Sequence, residues 1–166
     1  MREMHRQVDE LNTVSQRQEN RFGRLLDKLE GQRNLLASTP AIRPTVGWMT
    51  SRFGHRISPF TGRKEFHKGI DIAHRHGTAI LATADGIVSF AGKKGAMGNV
   101  LVIDHGHGMI TRYAHLSKPL KERGEKVKRG DIIAQMGSSG RSTGPHLHYE
   151  VHLNGVPVNP SQYILN

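Results

Sequence analysis

Along residues 1–37 apolar side chains recur with a seven-residue period. One seam reads Val8, Ser15, Phe22, Leu29 and Leu36, and the other reads Met4, Leu11, Gln18, Leu25 and Gln32. Seven of these ten positions are apolar, which predicts an amphipathic, coiled-coil-like α-helix. Ser15, Gln18 and Gln32 interrupt the seam, so a helix packed on its own domain is an equal reading. The period ends where Pro40 and Pro44 enter the chain. Proline lacks an N–H donor and restricts the residue before it, so the helix should stop near Ala37. Residues 38–48 then read as a linker.

From Met49 onward the pattern shortens. Residues 80–90, 99–104, 109–115, 131–136 and 146–153 are runs rich in Val, Ile, Leu and Tyr, separated by breaks containing Gly. Such runs read as strands. Residues 104–108, Asp-His-Gly-His-Gly, lie between two of them and read as a hairpin turn. The phrases Gly77-Thr78-Ala79-Ile80-Leu81-Ala82 and Val127-Lys128-Arg129-Gly130-Asp131-Ile132-Ile133-Ala134 resemble each other. The expected class is therefore mainly β: an antiparallel, partly duplicated, barrel-sandwich-like sheet over residues 49–166, preceded by the helix. The last run alternates without a break. Leu147, Tyr149, Val151 and Leu153 should face the core, while His146, His148, Glu150 and His152 share the other face.

Composition narrows the class. The 166 residues suit one domain with an appendage. Lys and Arg number 24 against 14 Asp and Glu, a net charge of +10, which favours an anionic partner such as a nucleic acid, a membrane surface or an anionic polymer. Aromatic residues make up only 5% of the chain. No aromatic–basic stacking pattern, recognition helix or finger accompanies the charge, so nucleic acid is not the expected partner. There is no cysteine. Any metal must therefore be held by His, Asp or Glu. No run of 18 apolar residues is present, so no transmembrane segment is expected, and residues 1–37 carry no apolar stretch of a secretory signal. Met1 is read as a start that could be internal to a longer exported or anchored chain.

Three short words offer metal-binding chemistry: His67-Lys68-Gly69-Ile70-Asp71, Tyr113-Ala114-His115 and His146-Leu147-His148. Two or three imidazoles and one carboxylate are the set that Zn²⁺ takes in a hydrolytic site, with a fourth position open. On a strand, positions 67, 69 and 71 share a face, and Gly69 removes the one side chain that would crowd an ion between them. His74/His76 and His105/His107 are also spaced as pairs, but both sit in turns and read as solvated. His55 and His152 are candidates only for the neighbourhood of the site, and His5 lies in the helix. No H-E-x-x-H helix is present, so the glutamate-base chemistry of that motif is not expected.

Taken in order, Ser51-Arg52-Phe53-Gly54, Phe66-His67-Lys68-Gly69-Ile70-Asp71, Tyr113-Ala114-His115-Leu116 and Gly144-Pro145-His146-Leu147-His148 resemble the lysostaphin-type (LytM-like) zinc metallopeptidases, which are peptidoglycan endopeptidases. The resemblance covers roughly residues 46–160. It implies that His67, Asp71 and His148 hold one Zn²⁺ and that His115 and His146 flank the attacking water as acid or base, without saying which does which. It also implies peptidoglycan as the substrate and the bacterial cell envelope as the location. Several family members carry a tyrosine just before the first metal-binding histidine; here that stretch is Pro59-Phe60-Thr61-Gly62, with no phenol. The alternative is a non-catalytic envelope regulator on the same fold that activates another wall hydrolase. Its signature would be missing ligands, and all five residues are present. Residues 1–37 could form a homodimer, dock a protein partner or cover the groove.

Overall fold

The structure is a computed structural model that describes residues 1–165. Residues Arg2–Ser38 form one helix, α1, with no buried residue. It ends one residue beyond Ala37, the stop expected from the prolines. The segment read as a linker is hydrogen-bonded into the β unit instead of hanging free. Ala41 N–H donates to Thr83 O at 3.2 Å, Leu81 N–H donates to Pro44 O at 2.7 Å, and the buried Thr45 hydroxyl donates to Ala79 O at 2.9 Å.

Twelve strands follow: β1 (Trp48–Ser51), β2 (Gly54–Ile57), β3 (Lys64–His67), β4 (Ile70–Ala73), β5 (Ala79–Leu81), β6 (Gly86–Lys93), β7 (Asn99–Gly106), β8 (Met109–Pro119), β9 (Lys126–Val127), β10 (Ile132–Met136), β11 (His146–Leu153) and β12 (Val156–Val158). Ten form one sheet whose main path runs β1-β4-β11-β8-β7-β6-β9. β10 pairs with β5 and β8, β12 with β11, and β2 pairs with β3 as a separate ribbon. Every pairing is antiparallel. The mainly antiparallel class expected from the strand pattern is thus observed. The two similar phrases contribute β5 and β10, which pair with each other.

Alternation sets the register. Leu147, Tyr149 and Val151 of β11 are fully enclosed in the main core with Ile70, Ile72, Tyr113 and Leu116. Leu153, expected in that core, is 36% exposed, because β11 ends there. The β7–β8 turn is tighter than expected. Only His107 and Gly108 lie between the strands, with φ of 51° and 73°, and positive φ at both central residues matches the twist of a two-residue hairpin. His105 consequently belongs to β7 and is buried, not solvated as a turn residue. Its ring bridges Asp85 O at 2.7 Å and the Thr111 hydroxyl at 2.7 Å, and burial holds its pKa below the usual histidine range.

That bridge continues a polar thread through the core. Thr111 Oγ1 lies 3.1 Å from the Tyr113 hydroxyl, which accepts from Thr83 N–H at 3.2 Å, while the Tyr149 hydroxyl donates to Thr83 Oγ1 at 2.9 Å. A buried donor left unpaired costs its desolvation. Tyr113→Phe strands Thr83 N–H and should therefore lower stability by about 1–3 kcal/mol, read as a reduced urea midpoint with an unchanged slope.

Candidate metal centre

The strand ladder makes the first contact. β4 and β11 pair so that Asp71 stands directly opposite His148. Directly opposed residues hold their Cβ atoms roughly 4.5–5.5 Å apart, so register alone brings the carboxylate to the imidazole. His67 ends β3, and the turn through Gly69 returns the chain into β4. A Cβ on Gly69 would run into the Tyr149 carbonyl oxygen and lie 3.1 Å from Glu150 Cγ. The space that glycine leaves thus belongs to β11, not to an ion, and lets this turn close onto that strand.

Three ligand atoms then converge. His148 Nδ1 lies 2.8 Å from Asp71 Oδ1 and 3.0 Å from His67 Nε2, and His67 Nε2 lies 3.2 Å from Asp71 Oδ1. The far nitrogens of both rings face acceptors. His67 Nδ1–H donates to Arg52 O at 2.8 Å, and His148 Nε2–H donates to Glu150 Oε1 at 3.1 Å. Each neutral ring therefore turns its lone pair toward Asp71. One proton on His148 Nδ1 serves part of this triangle, whereas a divalent cation serves all three corners. The buried carboxylates and rings perturb one another strongly. Burial opposes charge on His148, but the Asp71 and Glu150 carboxylates outweigh it and hold its pKa up at about 9. Burial likewise opposes charge on Asp71, yet hydrogen bonds from both imidazoles keep its carboxyl well below the usual range.

A ring of further groups fixes these three. Arg56 donates from Nη1 to Asp71 Oδ2 at 2.9 Å and to Ser51 Oγ at 2.6 Å, and from Nε to Glu65 Oε1 at 2.9 Å. It thereby occupies the second oxygen of Asp71 and leaves Oδ1 to the triangle. Glu150 Oε2 is held by His152 Nε2 at 2.6 Å and lies 3.4 Å from Arg112 Nη1. Sequence reading gave neither Arg56 nor Glu150 a role. The unbroken alternation of β11 already put Glu150 beside His148. Arg56 has no such signal, because its place follows from the β2–β3 register, which sets it opposite Glu65.

His115 reaches the site through a bulge. Tyr113 and Leu116 both face the core, so two residues intervene on β8. Their β7 partners, Leu101 and Asn99, are only two positions apart. The extra residue is a β-bulge, and His115 sits there with φ of 61°. Without it, position 115 would share the core face of Tyr113. Instead the His115 ring lies 4.7 Å from the His146 ring and 6.1 Å from the His148 ring, centroid to centroid. His115 Nδ1–H donates to Ser139 O and His146 Nδ1–H to Gly144 O, each at 2.8 Å. Both Nε2 atoms are thus lone-pair bearing when the rings are neutral, and neither has a hydrogen-bond partner among the described residues. Burial, reinforced by the neighbouring histidines, pushes the His115 pKa below the usual value.

The five residues singled out in the sequence therefore lie together, and one cleft is lined by Asp71, His115, His146 and His148. His74 and His76 are exposed, as expected. His107 is exposed at its hairpin tip. His55 is exposed and meets Phe66 edge-on, and His5 lies in α1. Phe60 stands in the cleft wall where a phenol was noted as missing.

Residues 65–160 match the model of peptidase family M23. The chain is 48% identical over 112 residues to the DD-carboxypeptidase/endopeptidase Mpg of Neisseria meningitidis, covering 68% of this chain and 26% of that protein. It is 46% identical over 104 residues to the peptidoglycan DD-endopeptidase ShyA of Vibrio cholerae, covering 63% and 24%. The chain spans well under half the length of these curated relatives. Among solved structures, a zinc containing peptidase from Vibrio cholerae superposes with a TM-score of 0.65 at 42% identity, covering 74% of this chain and 38% of that one. The catalytic domain of lysostaphin from Staphylococcus simulans gives a TM-score of 0.65 at 29% identity, covering 70% and 91%. These likenesses agree with the resemblance drawn from the three histidine words. The chain belongs to peptidase family M23.

Proposed function

We propose that this chain is the catalytic part of a zinc-dependent endopeptidase that hydrolyses peptide crosslinks or stem peptides of bacterial peptidoglycan, working in the cell envelope. One observation carries the reading: three lone-pair atoms, His67 Nε2, Asp71 Oδ1 and His148 Nδ1, lie 2.8–3.2 Å apart. Tetrahedral zinc with bonds of about 2.0–2.1 Å spaces its ligand atoms about 3.3 Å apart, so the donor set fits the ion in kind and in size. His67, Asp71 and His148 would hold it. When bound, zinc supplies a Lewis acid that acidifies water and polarises a carbonyl.

The chain's own groups do the rest. His115 and His146 are each anchored through Nδ1 to a backbone carbonyl, which leaves Nε2 to take a proton from water and return it to the departing amine. The lowered pKa of His115 keeps it neutral, and so able to accept a proton, further into the acid range than an ordinary histidine. A protonated partner ring can instead stabilise negative charge on the carbonyl oxygen. Glu150 keeps the His148 ring in the tautomer that points the Nδ1 lone pair toward Asp71 Oδ1 and His67 Nε2, where an ion would be held. The net charge of +10 supports attraction to an anionic wall polymer. The exposed Met4, Val8, Leu11, Phe22, Leu25 and Leu29 of α1 support pairing of that helix with a second copy or a protein partner. No helix among the described residues is long and apolar enough to cross a membrane. A regulator that had lost its metal is not favoured, since the full donor set is retained.

Zinc analysis and digestion of purified sacculi test this together. His67→Ala and His148→Ala should lose both bound metal and release of peptide fragments. His115→Ala should keep stoichiometric zinc while turnover falls by roughly 10²–10⁴-fold. Turnover by zinc-free protein would overturn the reading. Glu150→Ala should weaken zinc binding by roughly 10–100-fold in a chelator competition, with the β-sheet circular dichroism retained.

A further inference from the structure

The cleft wall holds a cation that none of the described residues neutralises. Arg141 lines the cleft with Phe60, Arg56, His115, His146 and His148. Arg56 is committed to Asp71, Glu65 and Ser51. By contrast, the Arg141 guanidinium makes no hydrogen bond or ion pair with any of the described residues. It meets an aromatic ring instead: Cζ lies over Phe60, 5.1 Å from the ring centroid. A guanidinium held against a ring and by no acceptor keeps its N–H groups for a planar, two-oxygen acceptor.

The backbone beneath this side chain is fixed. Arg141 N–H donates to Ala96 O at 2.8 Å. Gly140 and Gly98 approach so closely that a Cβ on Gly140 would run into Gly98 N, and one on Gly98 into the Ser139 backbone. The Ser139 hydroxyl donates to Leu116 O at 2.7 Å and accepts from Asn99 N–H at 2.9 Å. Ser139 O, two residues before Arg141, is the acceptor that orients His115. One clamped turn therefore sets both a reacting imidazole and an unpaired guanidinium on the same cleft.

We propose that Arg141, held by Phe60, is a specificity-determining residue that binds a free carboxylate of the substrate next to the scissile bond. Where the acyl-side residue is joined through its α-carboxyl, that group is consumed in the bond itself. For such a bond to an α-amine, the nearest remaining carboxylate is that of the amine-side residue, on the carbon bearing the scissile nitrogen. The substrate class is accordingly a peptide or crosslink whose amine-side residue is not extended through that carboxyl. A glycine bridge, whose amine-side residue is extended in this way, lacks the group. This assignment rests on the hydrolytic reading above and deepens it.

The test compares two crosslinked muropeptides, one with that carboxylate free and one with it amidated, cleaved by the zinc-loaded chain. Wild type should prefer the free acid by roughly 10–100-fold in kcat/KM, as expected for losing a charge-assisted hydrogen-bond pair. In Arg141→Gln the ratio should collapse to about one, mainly through KM. Arg141→Lys, which keeps the charge without the fork, should retain part of it. Arg141 is exposed, so zinc content and melting temperature should stay at wild-type values, which separates recognition from folding. An equal rate on both substrates by wild type, or a preference that survives Arg141→Gln, overturns the assignment. Cleavage of neither substrate overturns the hydrolytic reading, and this assignment with it.

Discussion

One rung of an antiparallel ladder, Asp71 of β4 opposite His148 of β11, is the constraint on which the site depends. Side chains alternate between the faces of a strand, so a slip of one residue would send His148 into the core and turn Leu147 or Tyr149 toward the cleft. That exchange would expose side chains that are now enclosed among Ile70, Ile72 and Tyr113. The hydrophobic face of β11 thus enforces the register, and the polar face inherits its geometry from it. Chemistry and stability are coupled through the same eight residues.

Two local departures from regular β structure complete the cleft. The bulge at His115 takes one residue out of the alternation of β8 and aims it at His146 and His148. Gly69 removes the Cβ that would hold the turn before β4 away from β11. Around both, backbone carbonyls do the orienting: Arg52 O for His67, Ser139 O for His115 and Gly144 O for His146. An acceptor that cannot titrate fixes which ring nitrogen carries the proton. Each neutral ring is left with its Nε2 lone pair directed away from that acceptor. Buried carboxylates beside buried rings are costly unless every partner is in place. Arg56 and Arg112 supply the compensating charge on either side.

What could be read from residue order was periodicity and the company that residues keep. The alternation of residues 146–153 put Leu147, Tyr149 and Val151 inside and grouped His148 with Glu150. The histidine words placed His67, Asp71 and His148 in one site, and their ligand atoms do lie within 4.8 Å of one another. What could not be read was register. The place of Arg56 depends on which residue of β3 it faces. The burial of His105 depends on a hairpin turn of two residues where five looked available. Leu153 fits the alternation but lies where its strand runs out, so its pattern promised an enclosure that is not there. Residues 38–48 look like a linker by their prolines, yet their backbone groups find partners around β5, which no local pattern announces.

The central claim is that three separated stretches close on one divalent ion. Anomalous diffraction at the zinc absorption edge, from crystals of the zinc-loaded chain, tests it most directly. The account predicts a single strong peak within bonding distance of His67 Nε2, His148 Nδ1 and one oxygen of Asp71. A peak bonded instead to His115 or His146, or one outside the cleft altogether, would contradict it.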